Sequence, residues 1–147
     1  DECDFTGLDL GPGEGVDVVC PAQEYDAPDE TFDTIISCEC WEHNPFYKES
    51  IKNAVRMLKK GGLFFFSCAT TGRPVHGVAS LEESGSAEHR NWKTMPNVAK
   101  KDWDNEYYRN VTEEDIRDIF DLDSIFSEYK FEVEKNHCDL YFWGIKK

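Results

Sequence analysis

Three stretches of the sequence carry residue types that could bind a cofactor or move a proton. In the first, GLDLGPGEG at residues 7–15, an aspartate is followed by spaced glycines. This pattern is typical of nucleotide-binding loops. The second, SCECWEH at residues 37–43, contains acids, cysteines and a histidine. The third is a long polar segment, residues 70–110, with scattered aromatic and basic residues. Which chemistry they support depends on the strands and helices that position them.

The composition favours one compact, acidic domain over residues 1–147. Of its 147 residues, 39% are hydrophobic and 14% aromatic, which is enough apolar content for a core and argues against extended disorder. The formal net charge is −14, and such a surface repels phosphate groups. We therefore expect no nucleic acid and no membrane as partner. No apolar run approaches the roughly 20 residues that span a bilayer.

The six cysteines are interpreted as reduced thiols. Several lie in apolar runs, the chain has ample core, and we expect no signal peptide, so a cytoplasmic location is predicted. The CEC triplet at 38–40 is not followed by a second cysteine pair or a Cys/His pair at zinc-finger spacing. The sequence therefore predicts no metal site.

The hydrophobic pattern predicts alternating strands and helices. Strands are predicted at residues 5–10, 15–20, 31–40 and 63–69, followed by an antiparallel pair at 125–135 and 138–147. One helix is predicted from Asn44, its N-cap, to Gly61-Gly62, with Lys59 and Lys60 facing its C-terminal carbonyls. A second is predicted at 112–120, with Thr112 as its cap. This order indicates a mostly parallel sheet that ends in an antiparallel hairpin.

A group of short motifs occurs in a fixed order between residues 32 and 69. They are Phe32-Asp33, Ser37, Glu42-His43 and RMLKKGG at 56–62, which leads straight into a strand. This order closely resembles the second half of class I S-adenosylmethionine-dependent methyltransferases of type 11, with Lys60 in place of the family's usual proline. The final YFWGIKK is similar to the family's seventh strand. The resemblance implies a Rossmann-like α/β fold.

The glycines at 7–15 fit that family in two ways. Its glycine loop joins the first strand to a helix whose amides face the cofactor. Here Gly15 is followed by VDVVCP, which predicts a strand, and residues 16–32 are too few for a helix, two strands and a turn. The spacing favours residues 5–10 as the family's second strand. The alternative, that these glycines are the cofactor loop itself, stays open.

In the favoured register the family's first strand and glycine loop are absent and the sheet is incomplete. Removing the first strand leaves a slot of about 9–10 Å in the sheet. Three explanations are open: the sequence begins at a truncation, a second copy in a homo-oligomer covers the slot, or residues 5–15 move into it.

The resemblance implies cofactor contacts at the carboxyl ends of the strands. Asp9 would accept hydrogen bonds from the ribose hydroxyls of S-adenosylmethionine. The other predicted cofactor-binding residues are Ala22, Gln23, Ser37, Cys38 and Glu39. Pro21 stands where the family often has an acid near the adenine amine.

The candidate catalytic residue is His43, as a base or as part of the acceptor pocket, and the alternative is a packing histidine. Glu42 is predicted to be structural. The candidate substrate-binding residues lie in the segment 70–110, interpreted as a lid on the acceptor side: Arg73, His76, Tyr107 and Tyr108.

The implied activity is direct methyl transfer from S-adenosylmethionine to a small-molecule acceptor. The enzyme supplies mainly proximity and orientation, and a base is needed only when the acceptor enters protonated. The alternative is a methyltransferase-like module that binds or regulates without doing chemistry. A Rossmann oxidoreductase is disfavoured, because the closing hairpin and the EH…LKKGG pattern fit methyltransferases better.

Overall fold

The fold alternates strands and helices. The computed structural model describes residues 3–78 and 107–147. In chain order its elements are β1 (Leu8–Asp9), β2 (Val18–Val19), β3 (Phe32–Cys38), a short 3-10 helix (Trp41–His43), α1 (Tyr47–Met57), β4 (Leu58–Ala69), α2 (Glu113–Arg117), α3 (Leu122–Ile125), β5 (Phe126–Glu134) and β6 (Asp139–Lys146). Helix α3, a single turn, has no counterpart in the sequence prediction.

The strands form two sheets. β1 and β2 pair in parallel, with Leu8 opposite Val18. The larger sheet has the order β3-β4-β6-β5, in which β3 and β4 are parallel and β6 is antiparallel to both its neighbours. The predicted α/β fold, with parallel strands and a C-terminal antiparallel hairpin, is confirmed.

The first sheet decides between the positions considered for residues 5–15. β1 pairs with β2, and no strand pairing joins the two sheets in the described part of the chain. β1 therefore lies beside β2 and does not fill the place next to β3. Residues 10–17 contain turns and no helix, as expected for a second strand followed by a tight connection. The predicted homo-oligomer stays a prediction.

The connection between β1 and β2 is tight enough to require glycine. The carbonyl oxygen of Gly7 accepts hydrogen bonds from the amides of Asp17 (2.8 Å) and Val18 (3.0 Å). A Cβ at Gly7 would lie 1.7 Å from the carbonyl oxygen of Gly15, so no larger residue fits there. Gly7, by its close approach, and Gly15, by its positive φ of 78°, therefore have a structural role in this turn.

Helix α1 ends earlier than the sequence predicts. Leu58 is extended and pairs with Phe32 of β3. Strand β4 therefore begins at Leu58, directly after Met57. Lys59 forms an ion pair with Asp33 at 2.8 Å. The ammonium of Lys146 instead donates to the carbonyls of Val55 and Leu58, at 2.9 and 2.7 Å. The prediction of a helix through residue 62 was wrong because strand pairing from a distant segment overrides the local helical pattern.

An aromatic core covers one face of the larger sheet. Phe142 stacks on Phe66 at 5.2 Å between ring centroids and contacts Phe131 at 4.8 Å. Helix α1 closes this core with its apolar stripe, which includes Ile51 and Val55. The core fixes β3 and β4 side by side, and with them the loops at their carboxyl ends.

The segment after residue 107 is anchored to that same end of the sheet. The amide of Val111 donates to the carbonyl of Ala69 at 2.9 Å. Thr112 caps α2, as predicted, and forms a capping box with Asp115; the helix ends at Arg117, before the predicted residue 120. None of the helices in the described ranges has the length and apolar content that crossing a membrane requires.

Candidate active site

A cleft of about 670 Å³ lies at the carboxyl ends of the parallel strands. Its volume is within the usual range of small-molecule pockets. The cleft is lined by residues that end or follow β1, β2, β3 and β4: Leu8, Asp9, Leu10, Gly11, Pro12, Gly13, Val16, Cys20, Ala22, Cys38, Glu39, Cys40, His43, Asn44, Arg73 and His76. Ligands of open α/β sheets bind at this edge.

Four of the six predicted cofactor-binding residues line the cleft: Asp9, Ala22, Cys38 and Glu39. The carboxylate of Asp9 is exposed at the end of β1 and accepts a hydrogen bond from the amide of Gly11 at 2.9 Å. The carbonyl of Ala22 is already engaged by the side-chain amide of Asn53 at 2.8 Å. One wall of the cleft therefore has an exposed carboxylate, that of Asp9.

The end of β3 forms the opposite wall. Glu39 adopts a left-handed backbone, with φ of 51°, which turns the chain from β3 into the 3-10 helix. Its carboxylate accepts a hydrogen bond from the hydroxyl of Ser67 at 2.7 Å, and its amide donates to the Ser67 carbonyl at 2.9 Å. Such strained positions concentrate at functional sites.

The other two predicted cofactor residues are not among those that line the cleft. The side-chain oxygen of Gln23 accepts a hydrogen bond from Ser50 of α1 at 3.1 Å, so it holds the helix in place. Ser37 is half-buried within β3, opposite Phe66. A cofactor contact by either residue stays a prediction.

The structure brings His43, His76 and Tyr108 together, although they are far apart in the sequence. The rings of His43 and His76 are 5.0 Å apart, and Tyr108 lies 5.5 Å from His43 and 4.9 Å from His76. Burial, assisted by the charge of Glu42, raises the pKa of Tyr108 to about 12, and its hydroxyl donates to Asn110. Tyr108 is therefore a neutral hydrogen-bonding group at neutral pH.

Arg73 also lines the cleft but is tied to the hairpin. Its guanidinium donates to the carbonyl of His137 at 2.6 Å and to Asp139 at 3.0 Å. Tyr107 is half-buried, and burial raises its pKa. Residues 79–106, most of the predicted lid, lie outside the described residues, so a lid role stays a prediction.

Glu42 is the residue that sequence reasoning undervalued. It is fully buried, and its carboxylate lies near the backbone amides of Glu42 and Ala69 and the carboxyl of Glu39 without a well-formed hydrogen bond in the described part of the chain. Burial, reinforced by the charge of Glu39, raises its pKa to about 7. One potential ligand atom from each of Glu42, His43 and His76 lies within 4.8 Å of the others. The Glu-His pair was visible in the sequence, but the approach of His76 was not.

Comparison with known proteins finds similarity to methyltransferases over part of the sequence and in the fold. Residues 8–66 match the sequence family described as a methyltransferase domain. No curated protein matches the chain.

Solved methyltransferase structures share the fold. The 1,6-didemethyltoxoflavin-N1-methyltransferase of Burkholderia thailandensis, bound to 1,6-didemethyltoxoflavin and S-adenosylhomocysteine, is 18% identical with a TM-score of 0.56 and covers 97% of this chain and 60% of that one. The N-methyltransferase NodS of Bradyrhizobium japonicum, bound to S-adenosylhomocysteine, is 15% identical in sequence, with a TM-score of 0.55. The match covers 96% of this chain and 65% of NodS.

A third structure, a possible histamine N-methyltransferase of Thermotoga maritima, is 17% identical with a TM-score of 0.54, covering 90% and 65%. This chain thus spans about 60–65% of the length of the three structures. Residues 8–66 thus match the methyltransferase-domain family, and the strand arrangement of the chain is the fold of these methyltransferase structures.

Proposed function

We propose that this chain binds S-adenosylmethionine in the cleft and supports methyl transfer to a small-molecule acceptor. One observation carries the proposal: the carboxyl ends of β1, β2, β3 and β4 converge on a single cleft of about 670 Å³. The wall at β1 offers an exposed carboxylate, and the wall beyond β3 and β4 offers two histidines. This separates a cofactor side from an acceptor side.

The cofactor side fits a nucleoside. Asp9 is an acceptor-only group at neutral pH and suits the paired hydroxyls of a ribose. Cys38 and Glu39 also line the cleft, and the methionine part of the cofactor would lie beside them. The carboxylate of Glu39 is held in place by the hydroxyl of Ser67, so its oxygens would accept hydrogen bonds from an ammonium group.

The acceptor side contains the groups that can hold a proton. When bound, S-adenosylmethionine supplies an electrophilic methyl group, which passes to the acceptor atom as its bond to sulfur breaks. His43 lines the cleft with only 13% of its side chain exposed, so it can receive a proton from an acceptor that enters protonated. His76 and Arg73 complete this wall.

The binding part of the proposal is tested by calorimetric titration of the chain with S-adenosylhomocysteine. We expect Asp9→Asn to weaken binding by about tenfold or more, because the substitution removes a charged hydrogen-bond acceptor. The matched control is Glu14→Gln, which removes an exposed acid in the same turn that is not among the cleft-lining residues. Equal affinities for wild type and Asp9→Asn would place the nucleoside elsewhere.

A second candidate is binding without chemistry. The gap between the sheets favours it, because β1 and β3 are not joined by strand pairing in the described chain, while the family has a strand there. The two candidates differ in product. Incubation with S-adenosylmethionine and a panel of amine, hydroxyl and heteroaromatic acceptors should yield S-adenosylhomocysteine in proportion to a methylated product. Tight cofactor binding with no turnover across the panel would favour the binding module.

A further inference from the structure

Three residues outside any recognised metal motif form a compact set of potential ligands. Glu42 and His43 belong to the 3-10 helix after β3, and His76 follows β4. One potential ligand atom from each lies within 4.8 Å of the others. From this cluster we propose that Glu42, His43 and His76 bind a divalent ion of the zinc class at the wall of the cleft.

The carboxylate of Glu42 is the strongest reason. A buried charge is stable only when it is paired, hydrogen-bonded or bound to a metal, and otherwise it takes up a proton. Glu42 is 0% exposed, and its carboxylate oxygens form no well-formed hydrogen bond in the described ranges, although the amides of Glu42 and Ala69 and the carboxyl of Glu39 lie near them. Among the described residues, the potential cation beside it is His43, whose Nε2 lies 3.9 Å from Oε1. A bound cation would satisfy this carboxylate.

His76 is prepared to act as a ligand. Its Nδ1 lies 3.0 Å from the carbonyl oxygen of Pro74. Because a carbonyl can only accept, Nδ1 must carry the proton, and Nε2 is left with a lone pair in the neutral ring. Metal-binding histidines almost always donate their second ring nitrogen in this way, which fixes both tautomer and orientation.

The donor set and its spacing favour a zinc-class ion. Two imidazoles and one carboxylate suit zinc or ferrous iron, whereas magnesium and calcium prefer oxygen ligands. Metal–ligand bonds of about 2.0–2.2 Å place neighbouring donors roughly 3.3 Å apart in a tetrahedral site. The present spread of up to 4.8 Å requires the donors to approach by about 1–1.5 Å, which rotation of the side chains can supply.

An ion in this position would face the cleft. His43 and His76 both line it, so a coordination position without a protein ligand would be directed to the acceptor side. There an ion would lower the pKa of an acceptor hydroxyl, replacing His43 as the activating group once its nitrogen is bound. This role, unlike metal binding itself, rests on the proposed function.

The site is tested by titrating the chelator-treated chain with Zn²⁺ and with Co²⁺, without any methyl donor. We expect one equivalent to bind, and Glu42→Gln and His76→Asn each to weaken affinity by about 100-fold. The control is His137→Asn, which removes an exposed histidine paired with Glu134 at 2.9 Å, a His–Glu pair outside the cluster. It should bind like wild type. Zn²⁺ should also raise the melting temperature of wild type but not of Glu42→Gln.

Several results would overturn the proposal. Equal affinity in wild type and both cluster variants would place the ion elsewhere. Sulfur-to-cobalt charge transfer would show cysteine ligands, a real alternative because Cys20, Cys38 and Cys40 also line the cleft. A preference for Mg²⁺ over Zn²⁺ would exclude the ion class. The outcome is independent of S-adenosylhomocysteine binding, which is measured with chelator present.

Discussion

Replacing Phe142 by alanine should lower the free energy of unfolding by about 3–5 kcal/mol. Phe142 is 1% exposed, and its ring lies at the centre of the aromatic core. Five aromatic neighbours surround it, with centroid distances from 4.8 to 6.2 Å: Phe64, Phe66, Phe126, Tyr129 and Phe131. Truncation would leave a cavity that none of the three strands involved can close without breaking their pairing.

Chemical denaturation followed by tryptophan fluorescence measures this effect. Phe142→Leu should cost less, since it keeps most of the buried volume, and it remains measurable if the alanine variant does not fold. The matched control is Phe5→Ala, the same change at a ring that is 76% exposed. It should alter stability by less than about 0.5 kcal/mol. Equal effects at residues 5 and 142 would contradict the core described above.

Replacing Glu42 by glutamine should stabilise the metal-free chain at pH 8 by about 3 kcal/mol. In the folded chain burial raises the pKa of this carboxyl from 4.5 to about 7. The folded state therefore binds the proton more tightly than the unfolded state does. Below pH 4.5 Glu42 is neutral in both states and causes no penalty. Between pH 4.5 and 7 the penalty grows as pH rises, and above pH 7 it is constant.

Urea denaturation with chelator at several pH values tests this sign. The stability of wild type should fall relative to that of Glu42→Gln between pH 4.5 and 7, and the difference should then level off. Glu49→Gln, which changes an exposed acid of α1, is the control and should follow wild type within about 0.5 kcal/mol. If the free energies of unfolding of wild type and Glu42→Gln changed in parallel with pH, burial would not raise the pKa of the Glu42 carboxyl.

Much of the fold could be predicted because its signals are local. β-branched and aromatic runs marked β3, the core part of β4, and the hairpin of β5 and β6. Thr112, as a capping residue, marked the start of α2. The end of α1 could not be predicted in this way. Its residues favour a helix, and the pairing of Leu58 with Phe32, a contact between distant segments, decides the outcome.

For the candidate site, the sequence could predict only the edge of the sheet at which it lies. Asp9, Cys38 and Glu39 follow from the rule that ligands bind at the carboxyl ends of parallel strands, and all three line the cleft, as does His43 of the Glu-His motif; their binding roles stay predictions. The rule does not determine side-chain partners. The side chain of Gln23 accepts a hydrogen bond from Ser50, and the loop after β4 brings the ring of His76 into contact with that of His43. These contacts depend on loop conformations that residue spacing does not specify.

The glycine-rich stretch illustrates the same limit. Its pattern resembles a cofactor loop, but the residues after Gly15 return at once to a strand beside β1. The close approach of Gly7 to Gly15 shows that two of these glycines serve the turn. Asp9, at the end of the strand, is the part of this stretch placed to meet a ligand.

Binding of the S-adenosyl cofactor in the cleft between β1 and β3 can be followed residue by residue. The experiment is two-dimensional amide NMR of the labelled chain during titration with S-adenosylhomocysteine. We predict shift changes at Asp9, Gly11, Cys38 and Glu39, which line the cleft, and none at Lys130 or Val133 on β5. Shift changes confined to β5, or no change at saturating ligand, would contradict binding in this cleft.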